Sequence, residues 1–335
     1  MSRESVLLFG LGGIGGIYAC ILHLSDQVDV HVVARSNYDI VKEKGFKLKS
    51  SIFGDHEGLK FAGVWKSTEE AAASGTKFLH VLCANKALLD ASPSLSDHLR
   101  PIITPSLTSI VLLQNGVGAE EPLHASFPST TIISAVVWTG GKALPGGEGV
   151  EQFNREGLTI GVDYLSDDET DREEEDRKLE KLVGWLEKGK GNCTVTKDIQ
   201  SERWIKVIWN CCWNSLTTAT RLKTGPFFAS SSQALPLCYA IMEEVCAVAR
   251  AKGLTIPEGT VKRLIKQCTD VEYPGLPSSM MADNLAKRPM EVEVILGTPV
   301  REGQRLGVPV PTLTAIYTIV KALDYGNSHP EAASA

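Results

Sequence analysis

An apolar run, Ser5 to Phe9 (SVLLF), passes directly into Gly10-Leu11-Gly12-Gly13-Ile14-Gly15, and a helical stretch from Ile14 to Leu24 follows. Strand, glycine turn and helix in that order leave few folds open. Glycine lets the turn bend tightly and lets a phosphate approach the backbone, where the free N–H groups of the helix N-terminus meet it. The alternative is a glycine turn that serves only close strand–helix packing. A second strand, Val28 to Val33, ends in Ala34-Arg35-Ser36. An NAD-binding unit usually carries Asp or Glu there to hold the ribose hydroxyls. A carboxylate repels a 2′-phosphate, whereas arginine pairs with it and serine adds a hydrogen bond. The expected cofactor is therefore NADP(H). An exposed loop arginine with no such role is the alternative.

The chain continues in the same alternating style. Asn37 to Lys44 reads as a short helix, residues 46–66 as a hairpin excursion, and Ser67 to Glu70 as the start of another helix. Buried strands are expected at Lys77 to Cys83, Thr108 to Leu113 and Thr130 to Trp138. They run into Ala84-Asn85-Lys86, Gln114-Asn115-Gly116 and Thr139-Gly140-Gly141. Open α/β sheets bind ligands at the carboxyl ends of their strands. There Lys86 is a candidate for cofactor phosphate or ribose, and Asn115 for the ribose or nicotinamide side. The Gly140 region suits close backbone approach. Turn chemistry alone also explains an Asn-Gly pair. Gly149 to Val162 is expected to add a pair of short strands that finish the sheet. The acidic run Asp167 to Asp176 reads as a solvated helix face leading into an amphipathic helix that ends near Gly189, and Asn192 to Thr196 as a last strand.

From Lys197 the strand patterns give way to helices. They are expected at Glu202 to Asn214, Leu235 to Lys252, Glu258 to Thr269, Ser279 to Ala286, Met290 to Leu306 and Thr312 to Tyr325. The fold class is thus α/β, with an N-terminal Rossmann-like dinucleotide-binding domain (1–196), an all-helical C-terminal domain (197–328) and a flexible tail (329–335). A net charge of -6 argues against general affinity for nucleic acid or anionic membrane. No apolar run is long enough to span a bilayer. Eight cysteines without a C-x-x-C pairing suggest reduced thiols and no metal site. The N-terminus lacks the pattern of a secretory signal, so cytoplasm is the expected compartment.

The first helix of the second domain carries an unusual polar pattern. ERWIKVIWNCCWN, residues 202–214, is apolar almost all round and should be buried. After Arg203 its polar members are Lys206, Asn210 and Asn214. A spacing of four drifts about 40° per step, so the three form one stripe. Each buried polar group needs a partner or costs roughly 1–3 kcal/mol. A neighbouring helix or a bound ligand would serve. Further on, Ser278-Ser279-Met280 opens a helix after a Pro/Gly-rich loop, where hydroxyls and N–H groups suit a carboxylate or simply cap the helix. Glu291-Val292-Glu293 follows Pro289, where the helix dipole alone favours carboxylates.

Taken in order, these motifs resemble the 2-dehydropantoate 2-reductase (ketopantoate reductase) family over nearly the whole chain. The resemblance rests on GLGGIG, Arg35, Ala84-Asn85-Lys86, Gln114-Asn115-Gly116, the W-x-K-x-x-x-N-x-x-x-N segment, Ser278-Ser279-Met280 and Glu291. It implies that Lys206 is the proton donor, that Asn210 and Asn214 bind substrate, and that Ser279 with its neighbour Ser278 binds the substrate carboxylate. Gly10, Leu11, Gly12, Gly13, Ile14, Gly15, Arg35, Lys86, Asn115, Gly140 and Glu291 become cofactor contacts. Some positions depart from the family. A substrate-contacting Asn aligns with Thr224, and the family's Asn-Gly after an acidic E-x-D pair reads Leu296-Gly297, with Glu293 replacing the Asp. The helix after Asn214 keeps Leu216 and Thr217 but not the usual ending.

The implied reaction is NADPH-dependent reduction of a 2-oxo acid, 2-dehydropantoate or a related compound, to the 2-hydroxy acid. Lys206 acts as general acid, and the active site lies in a cleft between domains. With 2-dehydropantoate as substrate this is a step of pantothenate biosynthesis. Other readings are a reductase of another carbonyl compound of secondary metabolism and a non-catalytic NADP(H)-binding sensor. The second of these needs no Lys206–Asn210–Asn214 stripe. The expected partner is a small molecule, and the sequence admits a homodimer.

Overall fold

The computed structural model of the protein describes residues 3–165 and 168–333. Asp167, with which the expected acidic run opens, and residues 334–335 of the expected tail lie outside the described residues. The chain divides into two units. The first comprises residues 1–86, 91–114 and 120–199, and the second 87–90, 115–119 and 200–335.

The first unit begins with β1 (Ser5–Phe9), α1 (Gly13–Leu24), β2 (Asp29–Val33) and α2 (Tyr38–Lys44). It continues through β3 (Phe46–Ser50), β4 (His56–Leu59), β5 (Gly63–Trp65), α3 (Thr68–Ala73), β6 (Phe78–Cys83), α4 (Leu95–Leu99) and β7 (Ser109–Leu112). Then come α5 (Glu120–Ser126), β8 (Ile132–Val137), β9 (Gly140–Ala143), β10 (Gly149–Phe153), β11 (Leu158–Val162), α6 (Glu169–Lys188) and β12 (Cys193–Val195). The main sheet has the order β12-β11-β8-β7-β6-β1-β2-β5. Its strands run parallel from β8 to β5, while β11 is antiparallel to β8. Strands such as Ile132–Val137 are buried along their whole length, as a sheet covered on both faces requires.

Two expectations need correction here. The 46–66 excursion is a hairpin only as far as β4. Gly63–Trp65 leaves it and extends the main sheet as a parallel neighbour of β2. The Gly149–Val162 pair does not finish one sheet. β10 joins β3, β4 and β9 in a separate four-stranded sheet, and β11 enters the main one. The burial patterns explain the split: LTIGV is buried on both faces, whereas GVEQF is partly open and packs on α1. The contact is close, since a Cβ on Gly16 of α1 would stand 2.6 Å from Val150 Cγ1 and 2.8 Å from Phe46 Cζ. Gly140 and Gly141 open the strand β9.

The second unit is helical: α7 (Ile199–Thr220, from its second residue), α8 (Thr224–Ser230), α9 (Ala234–Ala251), α10 (Thr260–Thr269) and α11 (Ser279–Leu285). A π-helical turn, Glu293–Gly297, then leads into α12 (Thr298–Leu306), α13 (Pro311–Ser328) and α14 (Pro330–Ala333). Trp204, Ile208, Cys211 and Cys212 of α7 pack in one core with Met242, Val245, Leu264, Leu296 and Leu313. The single helix expected from Met290 to Leu306 is therefore irregular. Pro299 has no N–H to give to the Ile295 carbonyl four residues back. That carbonyl instead accepts the Cys211 thiol at 2.8 Å. None of the described helices is long and apolar enough to cross a membrane.

Charge burial in the first unit sets an acid limit. His80 of β6 is fully buried, edge-on to Trp185 of α6 at 5.6 Å, and neither ring nitrogen has a hydrogen-bond partner in the described structure. Desolvation, then Lys178 and Lys181, push its pKa down to about 3. The unfolded chain takes up a proton near pH 6.5 that the folded chain refuses until about 3, so stability falls as pH drops through that window. Replacing His80 with leucine, which is similar in size, should lessen the loss of unfolding free energy between pH 6.5 and 4. Urea titrations across that range check this. Parallel pH dependences for wild type and H80L would exclude His80 as the cause.

Candidate active site

Register brings the strand-end motifs of the first unit to one edge. Phe9 pairs with Val33 of β2 and with Cys83 of β6, and Cys83 pairs with Leu112 of β7. The residues that follow, Gly10, Ala34, Ala84 and Leu113, thus emerge side by side. Gly10 has φ +102, and a Cβ on it would stand 2.4 Å from the Asn85 nitrogen. Gly15 passes so close to the Gly10 carbonyl that a Cβ would stand 2.0 Å from its oxygen. Gly12 differs, because a Cβ there would meet nothing within 4 Å. It precedes α1, whose first turn has neither a side-chain cap nor an acidic residue. Open space beside uncapped helical N–H groups is the geometry that an anionic group fits.

The loop is braced by residues that periodicity does not single out. Asn37 is buried, and its amide donates to the Leu11 carbonyl at 3.3 Å and to the Gly147 carbonyl at 3.2 Å. Gln114 donates to the Asn85 carbonyl at 2.9 Å and to Asn85 Oδ1 at 3.1 Å, tying the ends of β6 and β7 together. Arg35 and Lys86 are exposed at this edge. Gly140 has a structural explanation of its own, since a Cβ there would stand 2.4 Å from the Phe153 carbonyl oxygen.

In the second unit, the polar stripe of α7 forms as its spacing predicts. Lys206 donates from Nζ to Asn115 Oδ1 at 2.9 Å. Asn210 and Asn214 are 6% and 5% exposed, and neither side chain forms a hydrogen bond among the described residues. A neighbouring helix therefore does not satisfy them. One turn on, Thr217 lies on the same face and donates to Ser278 Oγ at 2.7 Å. That bond draws the start of α11 onto the stripe. Ser278 caps α11 by accepting from the Met281 N–H at 3.0 Å, and Ser279 is exposed beside it. Thr224 is held by the loop that precedes these serines. Its hydroxyl is buried and accepts from the Leu276 N–H at 3.0 Å, which pins the loop before α11.

Two acidic residues fix the remaining segments. Glu291 Oε1 accepts from the Ala87 N–H at 3.1 Å. Glu293 binds Lys321 at 2.9 Å, Arg301 at 2.5 Å and the Tyr317 hydroxyl at 3.1 Å, and Lys321 also reaches Asp90 at 2.6 Å. Burial acts to raise the Glu293 pKa, but the bonds from Lys321 and Arg301 outweigh it and hold the carboxyl low. Among the described residues, no cluster of His, Cys, Asp and Glu is placed to hold a metal ion.

Comparison with known proteins agrees with this anatomy. Residues 6–162 match the family described as ketopantoate reductase PanE/ApbA, and residues 198–324 match its C-terminal region. The 2-dehydropantoate 2-reductase of Nostoc sp. is 25% identical, covering 98% of this chain and 97% of the relative. An uncharacterized protein of Saccharomyces cerevisiae is 27% identical, covering 96% and 93%. The crystal structure of 2-dehydropantoate 2-reductase from Methylococcus capsulatus superimposes with a TM-score of 0.82 at 30% identity, covering 97% of this chain and 98% of that one.

Proposed function

The chain belongs to the ketopantoate reductase family, and on that footing we propose that it reduces a 2-oxo acid to the 2-hydroxy acid with NADPH. The observation that carries this reading is the α7 stripe. It presents an ammonium group held by Asn115 and two buried amides with no protein partner among the described residues. A substrate with a carbonyl and a carboxylate offers those groups hydrogen-bond partners.

The glycine loop fits a dinucleotide: Gly12 leaves room and α1 begins without a cap. Exposed Arg35 follows β2 with no acidic residue beside it, which favours the 2′-phosphate of NADP(H). Lys86, Asn115 and Glu291 are the further cofactor contacts of this reading. A nicotinamide held by these residues would supply the hydride for the 2-oxo carbon. Lys206 hydrogen-bonds the carbonyl oxygen and gives it a proton as negative charge develops. Asn115 orients the ammonium. Asn210 and Asn214 align the substrate, and the Ser278–Ser279 region takes its carboxylate. The Thr224 hydroxyl is committed to the loop before α11, so it is a poor stand-in for a substrate-binding asparagine. This favours a 2-oxo acid other than 2-dehydropantoate.

Two outcomes follow for the cofactor and the acid. Arg35→Ala should raise the Kd of NADPH much more than that of NADH. Equal losses by isothermal titration would remove the case for NADP(H). Lys206→Ala should leave folding and NADPH affinity near wild type and slow single-turnover hydride transfer by about 10²–10⁴. Lys206→Arg should be badly impaired too, because a guanidinium keeps the charge but does not release a proton. Hydride transfer near the wild-type rate in either variant would rule Lys206 out as the general acid.

A further inference from the structure

Arg203 lies three residues before Lys206 and one turn away on α7, yet only 2% of it is exposed. A guanidinium so deeply buried must be held by hydrogen bonds, because its desolvation is costly. Its Nη2 donates to the Gly116 carbonyl at 2.7 Å. Gly116 immediately follows Asn115, whose Oδ1 receives the Lys206 ammonium at 2.9 Å. One helical turn thus holds two consecutive residues of one segment, through a main-chain oxygen and a side-chain oxygen.

The far side of that segment is also fixed. Gly116 has φ +88, and a Cβ on it would stand 2.4 Å from Val294 Cβ. The next residue, Val117, donates its N–H to the Val294 carbonyl at 2.9 Å. The segment is therefore clamped between α7 and the π-helical turn. Its backbone conformation suits glycine and leaves little tolerance for movement. Of the groups holding Gly116 from the α7 side, Arg203 is the one that grips its carbonyl directly.

We propose that Arg203 is a positioning residue for the reaction. By anchoring the Gly116 carbonyl it sets where Asn115 stands, and so where Lys206 directs its proton. Its proposed action on the reaction runs through the Gly116 carbonyl and Asn115. The inference rests on Lys206 being the general acid, but it has a consequence that needs no turnover: residues 115–119 are held in place by Arg203.

The test combines both consequences. Arg203→Met fills the space without a donor, and Arg203→Lys keeps the charge and one donor. Hydrogen exchange on the full-length protein should show faster exchange of amides 115–119 in R203M, with the rest of α7 unchanged, and partial protection restored in R203K. With a 2-oxo acid that the wild type reduces, R203M should lose about 10²-fold in kcat at nearly unchanged KM. R203K should recover part of that loss, and the R203M pH–rate profile should shift. Wild-type exchange at 115–119 in R203M, or wild-type kcat and pH profile, would overturn the proposal. So would an R203M that fails to fold, because Arg203 would then serve the fold as a whole. If the exchange result holds while the wild type reduces no 2-oxo acid, the anchoring stands and the reductase reading alone fails.

Discussion

The 2.9 Å hydrogen bond from Lys206 to Asn115 is the interaction on which the second unit's polar architecture turns. α7 is built from Trp204, Val207, Ile208, Cys211 and Cys212, all buried. Most of that helix is enclosed, and its half-buried Lys206 carries the ammonium beside the two buried asparagines. Lys206 is met by a residue from a separate segment, 115–119, which the unit takes in from elsewhere in the chain. Arg203 and Val294 secure the same segment from opposite sides. Asn210 and Asn214 have no counterpart of this kind among the described residues. The contrast between one polar group with a protein partner and two neighbours without one among the described residues is what suits the stripe to a ligand.

The first unit reaches its arrangement by sheet register. Because Phe9, Val33, Cys83 and Leu112 are aligned across four parallel strands, the glycine loop, Arg35, Lys86 and Gln114 leave the sheet at one edge. The glycines there divide by environment. Gly10 and Gly15 are forced by backbone within 2.4 and 2.0 Å of where a Cβ would sit, so packing alone dictates them. Gly12 has open space instead, so packing does not dictate it. That distinction separates the structural part of the motif from the part left for a ligand.

Much of this was legible in the sequence because it rests on local periodicity. The alternation of β1, α1 and β2 and the buried strands β6, β7 and β8 follow from short apolar runs broken by glycine and polar clusters. The stripe on α7 follows from a spacing of four. What was missed depends on partners far along the chain. Nothing local says that Gly149–Phe153 pairs with Phe46–Ser50 while Leu158–Val162 pairs with Ile132–Val137. The short helices α4, α5 and α8 span too few residues to show a full amphipathic period, although the Ser94–Asp97 capping box marks the start of α4. Pro299 was visible inside an expected helix, but the thiol that answers its missing hydrogen bond comes from Cys211. Arg203 went unread because a charged residue at the edge of an apolar stretch ordinarily faces solvent. Its burial depends on Gly116, which is 87 positions away.

The most direct measurement is steady-state NADPH oxidation by the wild-type protein against a panel of 2-oxo acids with small, branched and aromatic side chains, with products identified by mass. The account predicts that at least one 2-oxo acid is converted to its 2-hydroxy acid with one NADPH consumed per molecule. Tight NADPH binding with no 2-oxo acid reduced would contradict it, and would make the chain a nucleotide-binding protein whose α7 stripe serves another ligand.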